Sequence, residues 1–139
     1  HDRNLLSILH TKDLIDMDSQ MINSDRSVAD LQEKIKHGKK NIFAVVDARK
    51  HLKGILTLDD IRPLLFNPDL GGASTVQQLM KAPIAVVHPQ QALPEVIKLF
   101  DDTGVWHLPV INDRDEFIGF ISKSTILTSY RQLLKEYSA

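Results

Sequence analysis

The sequence predicts a mixed α/β fold of two β-α-β-β-α units, packed with approximate twofold symmetry. Three observations predict it. A single offset of 65 residues aligns apolar positions without a gap, from Leu14 against Leu79 to Ile61 against Ile126. Within each copy, short apolar runs alternate with stretches in which apolar residues recur at helical spacing. A unit of about 60 residues has too small a core to stand alone, so the two copies are expected to pack as one body. Residues 1–11 then form an N-terminal linker or helix, 12–66 the first unit, 67–74 a linker, and 75–139 the second unit with its C-terminal helix.

Each unit opens on a short strand, Gln20 to Ile22 or Ala85 to Val87. A helix follows, with Val28, Leu31 and Ile35 on one face and Gly38 near its end; Leu93, Val96 and Phe100 repeat this before Gly104. Continuous apolar runs, Ile42 to Val46 and Leu108 to Ile111, read as buried strands. Polar connections, Asp47 to His51 and Asn112 to Glu116, join them to glycine-bearing strands and predict hairpins. The third strand is Gly54 Ile55 Leu56 Thr57 in one copy and Gly119 Phe120 Ile121 Ser122 in the other. A second helix closes each unit, from about Leu58 to Phe66 and from Lys123 to Tyr137. The run from Asn67 to Ser74 is rich in turn formers and is the only linker-like stretch. Leu5, Leu6, Ile8 and Leu9 form an apolar cluster expected to lie against the pair, and a chain that begins at His1 is expected to be cut from a longer one.

Composition excludes several function classes. Apolar residues are 42% and charged residues 25%, with 17 basic against 18 acidic, so no net field draws the chain to nucleic acid or to an anionic membrane surface. The absence of cysteine removes disulfide and thiolate chemistry. There is no run of about 18 apolar residues to span a bilayer, and no signal peptide is recognisable. His10, His37, His51, His88 and His107 fall in no metal-ligand spacing, so no metal is expected. No nucleophile sits in an elbow motif, and Gly71 Gly72 lacks the phosphate-loop pattern, so no catalytic residue is assigned.

The candidate site is where the copies differ. Thr57 and Asp60 form a T-x-x-D at a helix start, and the matching positions of the second copy are Ser122 and Thr125. A capping box accounts for the first pair structurally. A strand running into a helix N-terminus also makes a phosphate site, where Thr57 adds a hydroxyl and Asp60 is suited to accept ribose hydroxyls. Lys39 and Lys40 either neutralise phosphate or cover a solvated helix end. Trp106 either stacks on a base or fills the interface between units.

The tandem unit resembles a CBS domain pair, or Bateman module, over residues 12 to 134. The resemblance is carried by G-h-h-[ST]-x-x-[DN], here Gly54 to Asp60, with the strand motif Leu108 Pro109 Val110 Ile111. Three longer runs resemble the cytoplasmic tail of bacterial ClC-type chloride channels and transporters: Leu58 to Arg62 with Phe66 to Leu70, Asp101 to Val110, and Tyr130 to Leu134. The resemblance implies a non-catalytic regulatory module on the cytoplasmic side of a membrane, attached to a transmembrane part. It implies an adenine nucleotide, AMP, ADP or ATP, in the cleft between units, with no other cofactor. Thr57 and Asp60 would be joined there by Ala82, Pro83, Val105, Trp106 and His107. A mirror site would use Lys39, Lys40 and Asn41 with Ser122, but Thr125 replaces its acid.

The leading reading is thus a nucleotide-sensing tail of a chloride channel or transporter. Two others stay open: a tail that only stabilises the transporter dimer, and a regulatory insert of a soluble enzyme, as in inosine monophosphate dehydrogenase. A symmetric homodimer is expected in any case, through Leu64, Leu65, Ile126 and Leu127 on the motif helices.

Overall fold

The computed structural model describes residues 5–66 and 74–138, so the expected linker lies outside the described residues except for Ser74. Among the described residues, contacts divide the chain into two bodies. One comprises 18–66 and 74–83 with 114–117; the other comprises 5–17 with 84–113 and 118–138. This division differs from the boundaries drawn along the sequence, because each body includes the segment that precedes the other repeat.

In the first body a three-stranded sheet has the order β1-β2-β3, with β1 (Gln20–Asn23) parallel to β2 (Ile42–Val46) and β3 (Leu52–Thr57) antiparallel to it. Helix α1 (Val28–His37) begins where the Ser27 hydroxyl accepts from the Asp30 amide at 3.2 Å, and α2 (Leu58–Phe66) follows β3 directly. The hairpin between β2 and β3 is shaped by Asp47, whose Oδ1 accepts from the amides of Arg49 and His51 at 2.8 and 2.9 Å. Ile22, Leu31, Phe43, Val45, Leu56, Ile61 and Val76 form its core. Burying one such large apolar side chain stabilises by about 1.5–3 kcal/mol, so Val76, from beyond the linker, contributes directly to this body.

The segment that carries Val76 adds structure to which the repeat pattern gives no element. Helix α3 (Val76–Leu79) is started by a capping box between Thr75 and Gln78, and Lys81 then pairs with Ile55 on the free edge of β3. Two backbone bonds fix that pairing, Ile55 N–H to the Lys81 carbonyl at 2.8 Å and Lys81 N–H to the Ile55 carbonyl at 3.0 Å. Gly54 belongs here for a packing reason: a Cβ at this position would lie 2.6 Å from Met80 Sδ.

The second body repeats this scheme. Helix α4 (Leu93–Thr103) ends at Gly104, whose φ of 73° is the left-handed cap that glycine adopts without penalty. Strands β4 (His107–Ile111) and β5 (Phe117–Ser122) pair, and α5 (Lys123–Tyr137) follows. A 3-10 turn at Thr11–Leu14 precedes Asp16, whose amide donates to the Phe120 carbonyl at 2.8 Å. These positions stand 65 residues before α3 and Lys81. The leader of each repeat therefore completes the body built on the other. Leu14, Val87, Leu93, Val96, Phe100, Leu108, Val110, Ile121 and Ile126 form this second core.

Two expectations are corrected. The strand expected at Ala85 to Val87 is reduced to one parallel bridge, Val87 with Val110. Val87 N–H donates to the Pro109 carbonyl and Ile111 N–H to the Val87 carbonyl, both at 2.9 Å. The next bond of a parallel ladder would need the amide hydrogen that Pro109 lacks, so pairing stops. Leu64 and Ile126, expected on a dimer surface, are buried, while Leu127 remains exposed. The Leu65 side chain lies outside the described residues.

Candidate functional site

Thr57 ends β3 and Asp60 stands in the first turn of α2, so the sequence places both at a strand-to-helix junction. Asp60 Oδ2 accepts from the Thr57 amide at 2.9 Å and from the Thr57 hydroxyl at 3.0 Å. The acid half of a capping box is present. Thr57 Oγ1 acts as a donor to the carboxylate, which turns the hydroxyl toward the acid. The amide of Leu58, first of the helix, donates to the Asn41 carbonyl at 3.0 Å.

The other oxygen of the carboxylate has a partner that sequence reasoning missed. Asp60 Oδ1 lies 2.7 Å from Lys81 Nζ. Burial of the carboxyl opposes its ionisation, but the hydrogen bonds from Lys81 and Thr57, with the lysine charge, outweigh it and hold Asp60 below its ordinary 3.8. The hydrogen bond to Asp60, helped by its charge, moves Lys81 above its ordinary 10.5. Near neutral pH the site is thus a fixed carboxylate, a hydroxyl and an ammonium. Lys81 carries no motif of its own. The signal available was Gly54, which marks a close approach of another backbone and not only the start of a strand.

The second motif is built from neutral groups. Ser122 caps α5 by accepting from the Thr125 amide at 3.1 Å, and its hydroxyl donates to Thr125 Oγ1 at 2.7 Å. The Lys123 amide donates to the Trp106 carbonyl at 2.9 Å, and the Lys123 ammonium lies 5.1 Å from the centroid of the same tryptophan ring. Trp106 is 59% exposed.

The expected sets of site residues distribute as follows. Thr57, Asp60, Ala82 and Pro83 share the first body, while Val105, Trp106 and His107 belong to the second. Lys39, Lys40 and Asn41 belong to the first body, and Ser122 and Thr125 to the second. The observed bonds join Asn41 to the start of α2 and Trp106 to the start of α5. Among the described residues, no group of three or more histidines and acids is placed to hold a metal. None of the described helices is long and apolar enough to cross a membrane.

The family model for the CBS domain matches residues 7–67 and again 76–131. The chain belongs to the CBS domain family. Its two CBS matches follow the repeat seen in the sequence and cover both bodies. Among curated relatives, the uncharacterized protein MJ1232 of Methanocaldococcus jannaschii is 26% identical over 83 residues, which are 60% of this chain and 26% of that protein. The chain thus matches about a quarter of that relative's length. Among solved CBS structures, CBSX2 in complex with AMP has a TM-score of 0.76 at 21% identity, covering 89% of this chain and 97% of that one. The cytosolic domain of the Mg2+ channel MgtE in complex with ATP has a TM-score of 0.72 at 20% identity, covering 84% of this chain and 46% of that one. At these identities the likeness establishes the CBS pair fold.

Proposed function

We propose that this CBS pair is a non-catalytic regulatory module that binds an adenine nucleotide through Thr57 and Asp60. The observation that carries the reading is the Asp60 carboxylate. It is 12% exposed, held ionised, and aimed with a hydroxyl at the start of a helix. Such a group accepts paired hydroxyl donors such as those of a ribose, and the Thr57 hydroxyl can turn from the carboxylate to donate to a phosphate oxygen. Ala82 and Pro83 follow Lys81 directly and offer apolar surface to the base. The AMP in CBSX2 and the ATP in MgtE support this ligand class. The motif at Ser122 and Thr125 lacks a carboxylate, so one nucleotide per chain is expected, with Lys39, Lys40 and Asn41 contributing to no second site of equal strength.

The parent protein in this reading is a membrane transport protein of the ClC-like kind, and the module is its cytoplasmic, homodimeric tail. Sequence beyond His1 tests this assignment: apolar transmembrane runs support it, and a soluble catalytic domain overturns it. Isothermal titration with AMP and with ATP tests the ligand. Saturable binding at one site supports it; no heat and no thermal stabilisation at millimolar nucleotide overturn it.

One observation favours a second reading. Both oxygens of the Asp60 carboxylate have partners within the chain, Thr57 on one side and Lys81 on the other. In that case it is a structural clasp between the leader and α2, and the module serves only to pair subunits of its parent.

A further inference from the structure

Both oxygens of the Asp60 carboxylate are engaged within the chain, and the two sides of the engagement differ in freedom. Oδ2 is held by the amide and hydroxyl of Thr57, within the same turn of chain. Oδ1 is held by Lys81, whose side chain is 74% exposed while its backbone is pinned to Ile55 by two hydrogen bonds. A fixed point on the leader therefore delivers a movable ammonium to a fixed acid. The second motif has neither member of the pair: at the same offset Thr125 stands for Asp60 and Asp16 for Lys81.

We propose that Lys81 reads the charge of the ligand at the Asp60 site, giving up Asp60 Oδ1 to ribose hydroxyls and turning to the ligand phosphate. This rests on the nucleotide reading above. Hydroxyls that donate to Oδ1 compete with the ammonium for the same lone pairs. A nucleoside without phosphate separates the ion pair and gives the ammonium no new anion. A nucleotide supplies one, because a phosphate oxygen is as good a partner for lysine as a carboxylate. Lys81 thereby lowers affinity for uncharged nucleosides and raises it for phosphorylated ones, a discrimination made by both a penalty and a reward.

The test is titration calorimetry of wild type, Lys81→Met and Lys81→Arg with two probes, adenosine and AMP, each variant first shown to melt as a folded protein. Wild type should bind AMP at least about tenfold more tightly than adenosine. In Lys81→Met, AMP should weaken by about tenfold and adenosine should hold or tighten, so that the preference collapses; Lys81→Arg should retain it. An unchanged AMP to adenosine ratio in Lys81→Met overturns the inference while leaving the nucleotide reading intact. Equal weakening of both probes also overturns it, since it makes Lys81 a structural support of Asp60. Wild type that binds neither probe overturns the nucleotide reading itself, and this inference with it.

Discussion

Met80 lies across Gly54, close enough that a Cβ on the glycine would reach to 2.6 Å of the methionine sulfur. The equivalent glycine of the other repeat, Gly119, would clash with the backbone carbonyl of Asp16 and with Ile15. A methionine chain can shift, and a paired backbone cannot without losing its bond. Gly54→Ala should therefore cost about 1–2 kcal/mol and Gly119→Ala about 2–3 kcal/mol or more, measured as urea midpoints at constant slope. Equal costs would show that the leader segments are held less firmly than their hydrogen bonds imply.

Asp60→Ala should weaken AMP binding roughly ten- to a hundredfold, because it removes a charged acceptor, while Thr125→Ala should leave affinity within about twofold. The same Asp60 substitution deprives the Thr57 amide of its partner and should lower stability by about 1 kcal/mol. Titrations belong well below the melting temperature of the variant, with circular dichroism as the check. Full affinity in folded Asp60→Ala would return the network to a purely structural role.

The acid limb of stability should depend on Asp60. Its folded pKa is below 3.8, so its contribution is fully present above that value and is lost as pH falls through the lower folded value. Lys81 is raised above 10.5, so its contribution is present below that and lost as pH rises through the folded value. Asp47 acts in the same direction as Asp60: burial opposes its ionisation, and hydrogen bonds from His51 and Arg49 outweigh it. Urea midpoints should thus stay level across the neutral range, and Asp60→Asn should remove only part of the decline below about pH 4. An unaltered acid limb in Asp60→Asn would contradict the assignment.

Pro109→Ala should extend the bridge at Val87 toward Ala85, since the new amide can complete the ladder. The gain of a hydrogen bond, about 0.5–1.5 kcal/mol, is offset by the greater freedom of the unfolded chain, about 0.4–1 kcal/mol, so stability should change little. Hydrogen exchange is the informative readout. Residue 109 should acquire a protected amide, and rapid exchange there would show that something other than proline limits the strand.

The 139-residue chain should sediment as a dimer, and Leu127→Glu, at a side chain 40% exposed, should shift it toward monomer without lowering its melting temperature by more than a few degrees. A wild-type monomer at high concentration would remove dimerisation from the proposed role.

Much of the fold was legible because apolar periodicity is a local signal. The bounds of β2, α2 and α5 follow from Ile42 to Val46, Leu58 to Phe66 and Lys123 to Tyr137, where pattern and capping agree. Two kinds of feature were not legible. Pro109 sits inside an apolar run that still forms β4, and only its partner strand shows the effect of the missing hydrogen. The leaders pair across long separations, as with Ile55 and Lys81, and composition gives no sign of which edge a short polar segment will choose. Thr57 and Asp60 were readable as a pair from their spacing. Lys81 was not, because its role depends on that long-range pairing.

The crossing of leaders makes the smallest inheritable piece of this protein the whole pair. A product ending at Phe66 would lack Val76 from its core and leave β3 uncovered along one edge, and one starting at Ser74 would lack Leu14 and the strand partner of Phe120. Neither half is self-sufficient, yet each holds what the other is missing. Two such halves, made separately, are natural complements: mixed together, each should template the other, so a gene split at this point could still yield one working protein.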